Sequence, residues 1–335
     1  MKNRFPLSLL AALLCASYGS TAFADATDGT LYYTTYNGGQ NIWKVDYAFD
    51  GASTFTLAPS INIASTNGAD GIVFNPNNGN LLIGGQGNAV HEITKAGAPV
   101  ATATPGVAAF HLSVDPSKTI VWAAGIPGQL SALPLTPSVT NGVPYTMLGA
   151  ESGIDTIAWN GSTALYTSSG SGGHGWYGTI VLDTVLKTAT TTRVAQIDAT
   201  HGATFDPFTG DFILIGDQNI TQVDGVTLAI VSDLLVPSVS TFDQGTVDGK
   251  GHGFFADNGG NLVFLDYSNS GLVADVGNFR ASPFLANFLD DVAPIVGPGG
   301  SNNTVPESSS TLLCLALVLP ALFLAKRRMG VVAQS

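Results

Sequence analysis

The 335-residue sequence predicts an all-β chain, a six-bladed β-propeller closed by a C-terminal strand, with a sorting segment at each end. Three observations lead there. Strand-forming residues recur in short alternating runs separated by Gly, Asn and Asp turns, and Gly reaches 40 residues. The runs repeat at a period of roughly 40–48 residues, the range of propeller blades. Long apolar segments occur only at the two extremes of the chain.

The repeat is clearest in Asp70-Gly71-Ile72-Val73-Phe74-Asn75-Pro76 and His201-Gly202-Ala203-Thr204-Phe205-Asp206-Pro207. Each is followed by a turn and a second strand, Leu81-Leu82-Ile83 and Phe212-Ile213-Leu214 respectively. Further copies start at Asp155 and Asp243, and a looser one spans Phe110 to Pro116. Apolar or small residues fall at alternate positions, as a half-buried strand requires. Third strands are expected at 41–46, 89–94, 129–135, 179–184, 220–224 and 261–266, and outer strands at 101–104, 188–195 and 272–276. The first blade has strands at 31–36 and 41–46 but no innermost one. Segment 291–296 supplies it, closing the ring and covering two sheet edges, although Pro294 removes one donor.

The chain ends read as addresses. Lys2 and Arg4 precede an apolar run from Leu7 to Ala16, and Ala22-Phe23-Ala24 fits a signal-peptidase site. Near the other end, Val305-Pro306-Glu307 is followed by an apolar run over 311–325 and by Lys326-Arg327-Arg328. As a helix the run would span about 22 Å, short of the ~30 Å hydrocarbon core, with the basic triplet held in the cytoplasm. The expected division is signal peptide 1–24, propeller 25–296, a Gly/Ser/Asn linker 297–304, and sorting signal 305–335. This last segment resembles the PEP-CTERM sorting signal of Gram-negative bacteria that make exopolysaccharide, with Ser308 in place of the usual second proline. The resemblance implies processing by an exosortase after transient residence in the inner membrane. It further implies release to the periplasm, cell surface or extracellular matrix, with exopolysaccharide as a partner. Cys15 and Cys314, the only cysteines, lie in these end segments, so the body contains no disulfide.

Charge narrows the partners. Lys2, Arg4 and Lys326 to Arg328 account for five of the twelve basic residues, while Glu307 is the one acid outside the body. The body therefore carries seven basic residues against 23 acidic ones, which disfavours nucleic acid and anionic membrane surfaces.

Polar residues open the inner strands of five blades: Asp70, Asp155, His201, Asp243 and Asp291. In the remaining blade Phe110 takes that register and His111 follows one step later, on the other face unless a bulge intervenes. Blade symmetry would bring these residues to one mouth of a central channel. They read either as caps bonding the neighbouring blade's backbone or as ligands of Ca²⁺, Mg²⁺ or another divalent cation. A catalytic metal would use His201 first and His111 second as base. His174 reads as a solvated loop residue, and neither His91 nor His252 is assigned a role. There is no Gly-x-Ser-x-Gly elbow and no phosphate-binding loop.

The strand-turn-strand units, such as His201 to Asp211, resemble the propeller group that includes NHL-repeat proteins, gluconolactonase-like hydrolases and virginiamycin B lyase. That resemblance implies blades, not an activity. Two functions follow: a surface or matrix binding protein, or a divalent-metal-dependent exported hydrolase or lyase. For the first, Tyr32, Tyr33, Tyr36, Trp43, Trp176 and Tyr177 are expected to divide between sugar stacking and blade packing.

Overall fold

The computed structural model describes residues 26–37, 41–125, 129–169, 174–198, 200–275 and 277–297. The segments expected to be a signal peptide (1–24) and a sorting signal (305–335) lie outside the described residues. No helix occurs among the described residues.

Among the described residues, twenty-five strands form six radial blades. Blade 1 contains β1 (Thr27–Thr35), β2 (Ile42–Phe49), β3 (Phe55–Leu57) and β4 (Ile61–Ala64). Blade 2 contains β5 (Ala69–Phe74), β6 (Leu81–Gly85), β7 (Val90–Ile93) and β8 (Pro99–Ala103). Blade 3 runs through β9 (His111–Val114), β10 (Ile120–Gly125), β11 (Gln129–Pro134) and β12 (Val143–Gly149). Blade 4 has the longest hairpin: β13 (Thr156–Asn160), β14 (Thr163–Ser169), β15 (His174–Asp183) and β16 (Thr188–Asp198). Blade 5 is β17 (Gly202–Asp206), β18 (Asp211–Gly216), β19 (Asn219–Val223) and β20 (Ile230–Leu235). Blade 6 is β21 (Phe242–Val247), β22 (His252–Asp257), β23 (Leu262–Asp266) and β24 (Phe279–Ala281), and β25 (Leu289–Val292) follows.

Each blade is an antiparallel meander from axis to rim, as short turns between strands dictate. Strand β25 returns to pair antiparallel with β1, Tyr33 opposite Val292 and Thr35 opposite Leu289, so the end of the body completes the first blade. The six inner strands β25, β5, β9, β13, β17 and β21 each lie against the next around a closed ring. Outer strands β12 and β16 also pair in parallel, Thr146 with Thr188 through Gly149 with Thr191, joining blades 3 and 4 into one eight-stranded sheet.

Both faces of these sheets are buried, and the alternation of side chains shows how. Leu81 and Ile83 pack toward blade 1, whereas Leu82 packs toward blade 3. Phe212 and Leu214 face blade 4, while Ile213 and Ile215 face blade 6. Six apolar clusters result, one between each neighbouring pair of blades. Strands buried on both faces have no room for charge, which explains continuous runs such as Phe212-Ile213-Leu214-Ile215.

The structure corrects two expectations about the strands. The closing strand is Leu289–Val292, two residues earlier than 291–296. Ala293 N still donates to Tyr32 O at 2.8 Å, but Pro294 has no N–H to extend the ladder, and Ile295 N turns to Thr246 Oγ1 instead. The outer strand of blade 6 is Phe279–Ala281, not 272–276. Residues 272–275 are drawn off the ladder because Val273 N donates to Gln222 Oε1 of blade 5 and Asn278 Nδ2 caps Leu272 O. Of the aromatics expected to divide between sugar stacking and blade packing, Tyr32, Tyr33 and Tyr177 fall on the packing side, buried between blades. Trp176 is half-buried beneath the Arg193 guanidinium, Trp43 stacks on Tyr33, and Tyr36 alone reaches the exposed class.

Candidate functional site at the channel mouth

The inner strands run in the same direction, so their first residues gather at one end of the axis and their last at the other. Three of the six reach the mouth through β-bulges. Asp70 and Gly71 together oppose Gly84, Asp243 and Gln244 oppose Ala256, and Asp290 and Asp291 oppose Thr34. A bulge adds one residue to the strand and re-aims its side chains, a device common beside functional sites. His111 needs none, since it opens β9 directly opposite Ala124. Asp155 and His201 lie immediately before their blades' regular ladders and are held by Asp155 N–Thr167 O and His201 N–Ile215 O bonds.

Close backbone approach makes the mouth tight. Gly71 N donates to Phe110 O of the next blade at 2.6 Å, and a Cβ on Gly71 would lie 2.7 Å from that same oxygen. Thr34 Oγ1 donates to Asp70 O at 2.6 Å and accepts from Asp291 N at 3.2 Å, tying blade 1 to blade 2.

The expected residues converge, with two qualifications. Three overlapping groups have potential ligand atoms within 4.8 Å of one another: His111, His201 and Asp243; Asp70, His111 and Asp291; and Asp243, Asp290 and Asp291. Asp155 belongs to none of them. Its carboxylate instead accepts the Ser169 backbone N–H within its own blade, not a backbone group of the neighbouring blade as the capping alternative expected. Asp290 belongs to the cluster and was missed, because a strand's alternation puts it on the opposite face from Asp291. Only the bulge turns both inward, and the adjacent pair of acids was the one available hint.

His111 sits at the centre of the cluster. Its Nδ1 lies 3.4 Å from Asp291 Oδ2, and its Nε2 lies 3.7 Å from Asp243 Oδ1. The ring is 6.5 Å from that of His201, which is only half-buried. Burial alone would depress the His111 pKa, but Asp291, Asp243 and Asp70 together push it up to about 10. Burial raises Asp291 to about 6 despite His111, and it raises Asp70 and Asp290 well above the usual carboxylate range. Burial also lifts Asp155. Asp243 goes the other way: desolvation is outweighed by His111 and His201, which hold it low.

Beyond the polar mouth the channel turns apolar. A cavity of about 70 Å³ is lined by Phe74, Val114, Trp159 and Phe205, with Val296 and Gly297 where the body ends. It has room for a few ordered waters, whereas small-molecule pockets occupy about 300–1,000 Å³. Larger hollows lie on the mouth face between blades 4, 5 and 6. One, of about 340 Å³, is lined by His174, Gln196, Asp198, Asn219, Thr221 and Asp233. The other, about 430 Å³, shares Asp198 and Asn219 and adds Asp217, Gln218, Ser240 and Thr241. His174, expected to be a solvated loop residue, is exposed but opens β15 on the rim of the first hollow.

These features define an all-β propeller with a polar mouth. No protein-family model matches the chain, and no curated protein matches it. Among solved structures, the chain is similar to one in a nidogen/laminin complex, with a TM-score of 0.58 at 9% identity over 80% of this chain and 98% of that one. It is also similar to the WD40 β-propeller domain of Doa1, with a TM-score of 0.45 at 10% identity over 70% and 89% of the two chains. A third similar chain comes from Kuenenia stuttgartiensis hydrazine synthase, with a TM-score of 0.48 at 11% identity over 80% and 89%. The nidogen/laminin likeness bears on the propeller fold alone.

Proposed function

We propose that this protein is an exported propeller that acts by binding at the cell surface or in an exopolysaccharide matrix, after signal-peptide removal and exosortase processing. The observation carrying the binding role is the pair of adjoining hollows on the mouth face. Their walls of Asn, Gln, Ser, Thr and Asp side chains offer the mixed donors and acceptors that sugar hydroxyls require. The Val305-Pro306-Glu307 motif, the apolar run and the basic triplet support export. Ala26 and Gly297, the ends of the described body, lie on the face opposite the mouth, because Tyr33 pairs with Val292 while the two strands run in opposite directions. A chain held by its C-terminal segment would thus present the hollows outward.

The test is co-sedimentation with the host's own exopolysaccharide, alongside Asp198→Ala and Asn219→Ala. Retention of the wild type and loss in both variants is expected. Failure of the wild type to bind refutes the matrix role. Fractionation separately checks sorting, since deleting Lys326 to Arg328 should leave an unprocessed form in the inner membrane.

A second reading is a divalent-metal-dependent hydrolase or lyase, favoured by the His111–His201–Asp243 cluster with its half-exposed His201. A metal there would supply Lewis acidity, and His201 would move the proton. Chelator-sensitive lactone opening that His201→Ala abolishes would support it. Turnover indifferent to both would remove it.

A further inference from the structure

We infer that Asp243, Asp290 and Asp291 form a site for one hard divalent cation of the Ca²⁺ class. The inference concerns the mouth but requires neither export nor catalysis, so its outcome is read separately from both functions above.

The first argument is geometry. Potential ligand oxygens of the three carboxylates lie within 4.8 Å of one another. Oxygens sharing a Ca²⁺ at 2.3–2.6 Å can be about 5 Å apart at most, so the group is compact enough to share one such ion. The bulges opposite Ala256 and Thr34 place these carboxylates from two strands without distorting the ladders beyond them.

The second argument is what the oxygens lack. Among the described residues, three buried carboxylate oxygens have no hydrogen-bond partner: Asp243 Oδ1, Asp290 Oδ2 and Asp291 Oδ1. Each comes from a different member of this trio. The residues are 9%, 3% and 2% exposed, so water does not replace the missing partners freely. The nearest positive group, His111 Nε2, is 3.7 Å from Asp243 Oδ1, too far for a hydrogen bond. Buried polar groups are almost always satisfied, and one orphaned oxygen on each of the three clustered residues indicates a missing cation.

The donor set selects the ion. Three carboxylates with no imidazole suit a hard oxygen-seeking cation rather than Zn²⁺. His111 is then a positioning residue: its Nδ1, 3.4 Å from Asp291 Oδ2, orients that carboxylate. Three protein residues fill only part of a shell of 6–8 oxygens, leaving positions for water or ligand oxygens and an affinity in the weak range of extracellular sites.

The test uses the full chain, purified in mild detergent, stripped with chelator and titrated at neutral pH with Ca²⁺ by calorimetry and with Tb³⁺ by luminescence. One ion per chain is expected, with a rise in thermal midpoint. Asp290→Asn should weaken binding about tenfold or more while raising the midpoint of the cation-free protein, since it relieves repulsion among the three acids. Asp291→Asn should do the same and serves as the second variant if the first misfolds. Asp155→Asn and His201→Ala should stay within about threefold of wild type. The site is overturned by the absence of Ca²⁺ and Tb³⁺ binding at millimolar concentration or by unchanged binding in Asp290→Asn. Preferential Zn²⁺ binding lost in His201→Ala would also overturn it, by moving the ion to the imidazole cluster.

Discussion

Replacing Leu289 with alanine tests whether the ring is held shut by the tail strand. Leu289 is fully buried and packs in the cluster between blades 6 and 1, with Leu31, Val45, Phe254 and Phe264. Removing three carbons forfeits about 2.4 kcal/mol at roughly 0.8 kcal/mol per buried methylene. The aromatic walls, including Phe254 and Phe264 with centroids 5.2 Å apart, are pinned from both blades and cannot collapse into the space. The cavity then brings the total to about 3–5 kcal/mol. For a body of this size that corresponds to a fall of roughly 6–15 °C in Tm. The assay is thermal unfolding by circular dichroism, with Leu235→Ala as control. Leu235 lies on outer strand β20 and is 57% exposed, so its loss should cost no more than about 0.5 kcal/mol. If the two variants melt together, β25 is not closing the ring and the convergence of acids at the mouth loses its basis.

Three further outcomes are expected. Gly71→Ala places a Cβ 2.7 Å from Phe110 O and should cost about 1–3 kcal/mol in urea unfolding; an unchanged midpoint would mean the blades are not packed this closely. Tyr267→Phe removes the buried hydroxyl that donates to Asp206 Oδ2 at 3.0 Å between blades 6 and 5. A loss of about 1–2 kcal/mol is expected in the same assay, and no loss would discount that bond. Glu92 is buried and accepts from Asn75, Asn78 and Asn80 and from Val139 N of blade 3. Desolvation would raise its pKa, but these donors, led by Asn80, outweigh it and hold the group below its ordinary 4.5. A depressed folded pKa stabilises the protein above the unfolded value, and that stability is lost as pH falls through the folded one. The Tm advantage of wild type over Glu92→Gln should therefore be full near pH 6 and shrink below about pH 4.5. A gap that stays constant into acid would contradict the assignment.

Much of the architecture was legible because it is local. Alternating apolar runs such as Leu81-Leu82-Ile83, punctuated by Asn and Gly turns, specify a strand and its hairpin within a dozen residues. Six copies at one period specify a ring. The absence of charge from those runs reflects burial on both faces. Residues Asp70, His201, Asp243 and Asp291 were legible because blade symmetry repeats a position, and His111 because it lies one step from that register. The aromatics were harder, since an alternating strand with two buried faces gives no sign of which tyrosine reaches solvent. Tyr33 and Tyr36 look alike until Phe254 and Phe264 of blade 6 are brought against one of them.

What the chain alone determined was the fold class, the number of blades and the end at which polar residues gather, since strand periodicity and repeat length are properties of neighbouring residues. Tertiary structure decided the ligand set. Bulges opposite Gly84, Ala256 and Thr34 change which face a side chain takes, and a bulge exists only when a partner strand offers one residue against two. That is why Asp290 joins the cluster, whereas Asp155, beside a ladder without a bulge, bonds Ser169 of its own blade. Charges separated by scores of residues acquire a shared electrostatic fate only when the ring closes around them.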